Sequence, residues 1–364
     1  MTLSVAEDAV ARALRARIAD QGSVTVAEFM ELALSGYYAA RDPLGAQGDF
    51  TTAPEVSQMF GEMIGLWCVD LWSRMGKPDP ILLAELGPGR GTLMADALRA
   101  ARVAPDFLAA VQVHLVEINA TLIARQKAAL QGFEPQWHRS FDSIPPGPLL
   151  LIANEFWDAL PIHQFVRTEQ GWRERVVIAT GDGGFAFGDA EPGPALAALR
   201  PEHRHARPGE IAEVSPVGRR LAAGLARRFA RGPREDHQGT ALIIDYGPMQ
   251  SGLGDSLQAL KGHRRHDPLE APGSADLTAH VDFAALADAA RAAGGVAHGP
   301  RRQGEFLGLL GINLRAETLK AKVDAAGRAE IDAALERLIG AKGMGSLFKV
   351  LALTAPELPS PAGL

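Results

Sequence analysis

The run Glu85-Leu86-Gly87-Pro88-Gly89-Arg90-Gly91-Thr92-Leu93 constrains this chain more than any other stretch. It follows the apolar, strand-like Ile81-Leu82-Leu83-Ala84 and opens into a helix-like segment from Leu93 to Ala101. Glycines at alternate positions let the backbone turn sharply and approach a ligand with no Cβ in the way. The helix that follows presents free N–H groups and the positive end of its dipole to whatever lies there. Strand, glycine turn and helix together make a cradle for a small molecule. The spacing is Gly-x-Gly-x-Gly; a dinucleotide fingerprint needs Gly-x-Gly-x-x-Gly, and the position it requires is Thr92.

Strand candidates at 81–85, 111–116, 149–153 and 240–244 alternate with helical patterns, with a further strand region at Trp137–Phe141. That alternation predicts an α/β fold with a mainly parallel sheet. The gap of about 86 residues between the last two candidates is far longer than a normal crossover. It holds a hairpin pattern, His163–Arg167 and Arg173–Thr180, a Gly/Pro-rich loop and a helix near 215–231, so an inserted subdomain is expected. Residues 1–75 read as helical, with Val5, Val10, Leu14 and Ile18 on one stripe and Phe29, Leu32 and Leu34 on another after Val24-Thr25-Val26. A polar, turn-rich run, 48–57, then precedes a helix carrying Met59, Phe60, Met63, Ile64 and Trp67; Thr52 or Ser57 suits its N-cap. The tail reads as helices at 282–293 and 315–340 and a final strand over 346–353.

Composition narrows the class. A chain of 364 residues, 47% hydrophobic and 22% charged, is ordinary for a globular enzyme. The net charge of −6 leaves no electrostatic footprint for nucleic acid. Cys68 is the only cysteine, which excludes a disulfide framework and a thiolate cluster; it reads as core. No run of about twenty residues is apolar throughout, so no membrane insertion is expected. Glu7 and Asp8 argue against a transit peptide, and a cytoplasmic location is the simplest expectation.

The second strand candidate ends in Glu117, 26 residues beyond Gly91, where an acid can pair with ribose hydroxyls. Glu-x-Gly-x-Gly-x-Gly followed by that acid resembles the class I S-adenosylmethionine-dependent methyltransferases. The resemblance implies S-adenosyl-L-methionine as cofactor, with Glu85, Gly87, Gly89 and Gly91 around its amino-acid part and Glu117 on the ribose. It also implies a Rossmann-like, mainly parallel seven-stranded sheet whose last strand runs antiparallel. Further segments narrow the likeness: Gly48 through Glu55 with Phe60-Gly61-Glu62, Asn154 through Pro161, Ile244-Asp245-Tyr246-Gly247, Asp276 through Phe283 and Gln303 through Leu307. This set is similar to the MidA family, which includes the mitochondrial arginine methyltransferase assisting respiratory complex I assembly. Symmetric ω-N dimethylation of an arginine in the 49-kDa complex I subunit is what that resemblance implies. A mitochondrial matrix location would apply to eukaryotic relatives. The expected division is an N-terminal helical extension and cofactor lid (1–75), a first half of the cofactor domain (76–160), an inserted substrate subdomain (161–238) and a second half (239–364).

Arginine is a difficult nucleophile because guanidinium is charged at ordinary pH and offers no free lone pair. Carboxylates that accept its N–H groups can orient it, and one can take a proton as the new bond forms. Glu155 and Asp158, after the strand at 149–153, supply such groups beside Phe156 and Trp157. Glu155 is the expected main contact and Asp158 the second, although Asp158 also suits a cap before Pro161, and the two aromatics suit core. Asp142 is suited equally to the adenine amino group and to capping the turn into Ile144. His280, in a short polar loop placed after the fifth strand, has a pKa range suited to proton acceptance but is as easily structural. Asp282 is explained as a helix N-cap, with Val281 and Leu286 at the positions of a hydrophobic staple. Thr51 and Thr52 are expected to fold over the cofactor, with Glu62 behind them. No histidine spacing suggests a metal site. Two other readings remain, a small-molecule methyltransferase and a cofactor-binding assembly chaperone without turnover. Base methylation is disfavoured because Asn154-Glu155-Phe156-Trp157 lacks an Asn-Pro-Pro-aromatic run.

Overall fold

The computed structural model describes residues 2–40, 51–230 and 238–364, with side chains from residue 9 to 38 in the first stretch. The Gly48-Asp49-Phe50 start of the polar run lies outside the described residues. The chain forms two compact units, one of residues 1–50, 157–221 and 250–282, the other of 51–156, 222–249 and 283–364. These boundaries differ from the sequence-based division: the segment from Thr51 to Arg74 belongs with the glycine turn, and the N-terminal helices belong with most of the insertion.

The unit holding the glycine turn is built on seven strands: β1 (Ile81–Leu86), β2 (Val111–Val116), β3 (Gln136–His138), β4 (Leu149–Asn154), β5 (Gly239–Tyr246), β6 (Val296–Arg302) and β7 (Phe348–Thr354). Their order is β6-β7-β5-β4-β1-β2-β3. Strands β1 to β5 pair in parallel, while β7 runs antiparallel to both β5 and β6. Every residue of β1 and β4 is buried, as expected where helices cover both faces of a parallel sheet. The chain leaves β1 toward β2 on one side and returns to β4 on the other. Leu86 pairs with Val116 and Ala153, and Asn154 with Ile244, so the carboxyl ends of β1, β2, β4 and β5 share one edge. Ligands in open α/β sheets bind at such a switch point.

Two departures from the sequence pattern have local causes. The helix expected over 315–340 is two, Ile312–Lys320 and Ala325–Ile339, because Asp324 caps the second by accepting the Gly327 N–H at 2.9 Å. The final strand begins only at Phe348, after a helical turn over Met344–Leu347.

The helix Gln58–Arg74 crosses the Thr92–Ala100 helix closely through glycines. A Cβ on Gly65 would stand 2.6 Å from the Ala97 Cα, with the Ala97 carbonyl oxygen closer still. Gly65→Ala is therefore expected to destabilise by about 1–3 kcal/mol, outweighing the roughly 1 kcal/mol that alanine gains in a helix. Gly224→Ala, in the Pro216–Ala230 helix, meets only the Arg227 Nη2 at 3.9 Å and is expected to stabilise instead. Thermal melts of the two variants check the opposite signs.

The other unit packs the Thr2–Gln21 and Val26–Ala40 helices with a five-stranded antiparallel sheet: Val24–Thr25, His163–Thr168, Gly171–Ala179, Phe185–Ala190 and Ile211–Val214. Val10, Leu14, Ile18, Phe29, Met30 and Val177 fill its core, so Val10, Leu14 and Ile18 of the N-terminal stripe face inward, while the Val5 side chain lies outside the described residues. A three-stranded sheet, Gln258–Lys261, Arg264–His266 and Asp276–Thr278, completes it. Among the described residues no helix is long and apolar enough to cross a membrane.

Candidate active site

The glycine turn leaves β1 with Gly87, Gly89 and Gly91 at φ of +61°, +53° and +83°, a left-handed region costly for other residues. Gly91 is also the N-cap of the Thr92–Ala100 helix. Just before the turn, Glu85 is 3% exposed and its Oε2 has no hydrogen-bond partner. Burial pushes its pKa up to about 8. The buried Cys68 thiol is pushed up to about 12, first by burial and then by the Glu85 charge, so it stays protonated.

Glu117 follows β2. Its Oε1 accepts the N–H groups of Ile118 and Asn119, each at 2.8 Å, and its Oε2 accepts the Gln126 amide at 3.3 Å. Burial raises the Glu117 pKa, and these three bonds oppose that shift. The Gln126 amide also donates to the Gly89 carbonyl at 2.7 Å, and its oxygen accepts the Trp137 Nε1–H at 2.8 Å. One fully buried glutamine thus ties the acid to the glycine turn. Sequence reasoning missed it; the available signal was a polar residue on the inward face of the Ala120–Ala129 helix. Asp142 stands exposed on the helical turn Phe141–Ser143, whose N-cap position is Ser140.

The polar segment after residue 50 is fixed to this turn. Ser57 caps the Gln58–Arg74 helix through its side chain, accepting the Met59 N–H at 3.2 Å. Thr52 is the N-cap of the short Ala53–Val56 helix but bonds through its carbonyl, not its hydroxyl. Glu55 accepts the Thr92 hydroxyl at 2.6 Å and pairs with Arg90 at 3.5 Å. Thr92, where a dinucleotide site would need glycine, is therefore used as a tie. Thr51 and Thr52 are both half-buried. The buried Glu62 carboxylate is held by Arg99 and Arg315, which joins three helices.

Glu155 follows β4 with φ of +51°, strained for a residue with a Cβ. Its Oε1 accepts the Ala53 N–H at 2.9 Å and the Asn154 amide at 3.1 Å. The Phe156 N–H donates to Asp245, a fully buried acid at the end of β5. The Phe156 ring lies 3.0 Å from where a Gly87 Cβ would stand, so it packs on the glycine turn.

Asp158 and His280 belong to the other unit, where a backbone bond brings their segments together: the Ala279 N–H donates to the Asp158 carbonyl at 2.9 Å. Asp158 is 7% exposed. Tyr38 donates to Asp276 at 3.1 Å, and its pKa is raised by burial first, then by the charges of Asp276 and Asp158. Asp276 and Tyr38 were not singled out from sequence. Trp157 is buried, with its indole close against Gly218, as a core residue would be. His280 is exposed, but it follows the Asp276–Thr278 strand of the small sheet and not the fifth strand of the main one. Short strands of mixed polarity concealed that difference. Among the described residues no group of three or more His, Cys, Asp or Glu is arranged to hold a metal.

Comparison with known proteins agrees with this geometry. Residues 63–301 match the family model of S-adenosyl-L-methionine-dependent methyltransferases. The mitochondrial protein arginine methyltransferase NDUFAF7 of Danio rerio is 37% identical, with 92% of this chain and 84% of the relative covered. The Homo sapiens protein of that name is 34% identical, covering 94% and 82%. A crystal structure of a methyl transferase-like protein from Burkholderia thailandensis, bound to S-adenosyl-homocysteine, superposes with a TM-score of 0.83 at 27% identity, covering 99% and 95%. A seven-stranded class I sheet, a glycine turn at its switch point and relatives matched over more than four fifths of their length lead to one conclusion: the chain belongs to the MidA family of S-adenosylmethionine-dependent methyltransferases.

Proposed function

We propose that this enzyme methylates an arginine side chain of a protein, by symmetric ω-N dimethylation, with the homologue of the 49-kDa complex I subunit as target. The observation that carries this reading is the set of relatives named protein arginine methyltransferases, 33 to 37% identical across more than four fifths of their length. The proposed setting is the cytoplasm. Within residues 1–75 the part after residue 50, which belongs with the glycine turn, would be the cofactor lid, and residues 161–238 would supply the substrate subdomain.

The residues present suit the cofactor. The orphaned Glu85 oxygen is a buried partner for its cationic amino group, and the open glycine turn admits its amino-acid part. Glu117, already held by backbone N–H groups, would take the ribose hydroxyls, and Asp142 the adenine amino group. Thr51 and Thr52 would cover it. When bound, the cofactor supplies a methyl group on a sulfonium sulfur. The chain's own work is alignment, exclusion of water and handling of one proton. Glu155 and Asp158, three residues apart, would accept guanidinium N–H groups and localise its charge. Asp158 is well suited because burial strengthens its attraction for a cation. His280 would accept the proton that the guanidinium nitrogen gives up.

The test uses recombinant enzyme, labelled S-adenosylmethionine and lysate from a host lacking the gene, with mass spectrometry to locate the label. The expected result is label on one arginine of the 49-kDa homologue, lost with Asp158→Asn. Label on a small molecule instead, or tight cofactor binding with no label anywhere, would overturn the reading.

A further inference from the structure

We propose that Glu213 and Ser256 are positioning residues that set the His280 loop, an assignment that rests on the role given above to His280. The Ser256 hydroxyl accepts the His280 backbone N–H at 2.8 Å and donates to the Glu213 Oε2. Glu213 Oε1 accepts the Ser256 N–H at 2.9 Å and the Gln164 amide at 2.7 Å. Gln164, fully buried, also donates to Asp255 at 2.9 Å, and Arg175 bridges Gln164 and Asp255. All these groups lie in one compact unit.

The register explains what this network accomplishes. Gln258 pairs with Thr278 at the end of the antiparallel ladder. Two positions further out, beyond Leu257 and Ala279, the same register would set Ser256 opposite His280, and there the backbone ladder is replaced by a side-chain bond. Ser256 therefore marks where the strands part and the loop begins, and Glu213 fixes the direction in which its hydroxyl points. The loop is held twice more: Ala279 N–H bonds to the Asp158 carbonyl, and the Ser251 hydroxyl donates to the Asp282 carboxylate at 2.7 Å. Three ties across residues 279–282 fix the backbone from which His280 projects while leaving its side chain exposed. Strand pairing accounts for little of this network. Gln164 and Glu213 are already opposite each other in the Phe165–Ala212 ladder, which stands without Ser256. The polar chain continues past that ladder to one backbone N–H, that of His280.

The experiment uses the full-length enzyme with Ser256→Ala, Ser256→Thr, Glu213→Gln and His280→Ala, and the purified 49-kDa subunit homologue as the methyl acceptor. For Ser256→Ala, kcat is expected to fall about 10- to 100-fold, with the acceptor KM and the cofactor Kd within about twofold of wild type. Ser256→Thr keeps the hydroxyl and is expected to restore most of the rate, while Glu213→Gln should follow Ser256→Ala. Amide hydrogen exchange should rise at 279–282 in Ser256→Ala and remain slow at 163–168. Unchanged exchange at 279–282 would overturn the assignment whatever the reaction proves to be. Faster exchange with unchanged kcat, beside a His280→Ala variant that loses activity, would also overturn it while leaving the proposed function intact. If His280→Ala itself keeps full kcat, the role given to His280 fails and the assignment falls with it. Loss of cofactor affinity or of the melting transition in Ser256→Ala would make the network merely structural.

Discussion

Glu85→Gln is expected to weaken S-adenosylmethionine binding by about 100-fold, because the buried charge pair proposed between Glu85 and the cofactor's amino group would be lost. The same substitution is expected to raise the melting temperature of the ligand-free protein at pH 8. The two effects have one cause. Glu85 is buried at the end of β1 with one oxygen unpartnered, and burial raises its pKa from the usual 4.5 to about 8. The folded state thus holds this proton more tightly than the unfolded chain does. Stability from this group is full below pH 4.5 and declines as pH rises toward 8, where the folded state must carry a buried, unpaired carboxylate. Glutamine has no such window, so the gap in melting temperature should open between pH 5 and 8 and then level off. A bound ammonium favours the carboxylate, so cofactor binding at pH 7 should release a proton. Calorimetry in two buffers of different ionisation enthalpy reads that release directly. Equal affinity of the Gln variant, with no proton released by wild type, would remove Glu85 from the cofactor site.

What the sequence made legible divides along physical lines. β1, β4 and β5 are near-continuous apolar runs because parallel strands are covered on both faces, and such runs are readable without contacts. The glycine turn was legible for a related reason: three left-handed positions at fixed spacing leave almost no other residue type. The place of Glu117 at the tip of β2 followed from its distance along a βαβ unit. The small sheet of Gln258–Lys261, Arg264–His266 and Asp276–Thr278 was missed because its strands are too short to display a period. The break at 321–324 contains neither glycine nor proline, and only the Asp324 cap explains it. Gln126, Glu55 and Asp245 act through partners 37, 37 and 89 positions away, and no local pattern encodes pairings of that kind.

The sharpest test of the substrate chemistry is Glu155→Gln, expected to lower kcat by about 100- to 1,000-fold while leaving cofactor affinity and melting temperature unchanged. Glu155 has two separable tasks. One is structural: its Oε1 accepts the Ala53 N–H and the Asn154 amide, holding the Ala53–Val56 turn against the end of β4. The other is the proposed grip on a guanidinium, which needs a negative charge. Glutamine is nearly isosteric and still offers one carbonyl oxygen, so the tie to Ala53 can persist while the charge is gone. Any loss in the Gln variant then measures the charge. Glu155→Ala removes both and is expected to destabilise the protein and loosen the cofactor as well, since the same segment reaches the glycine turn through Glu55 and Thr92. The strained φ of +51° at this residue points the same way, because a cap alone could be met by a residue in relaxed geometry. Full methyl transfer by Glu155→Gln, measured on the labelled acceptor, would leave Glu155 as the anchor of the 53–56 turn and nothing more.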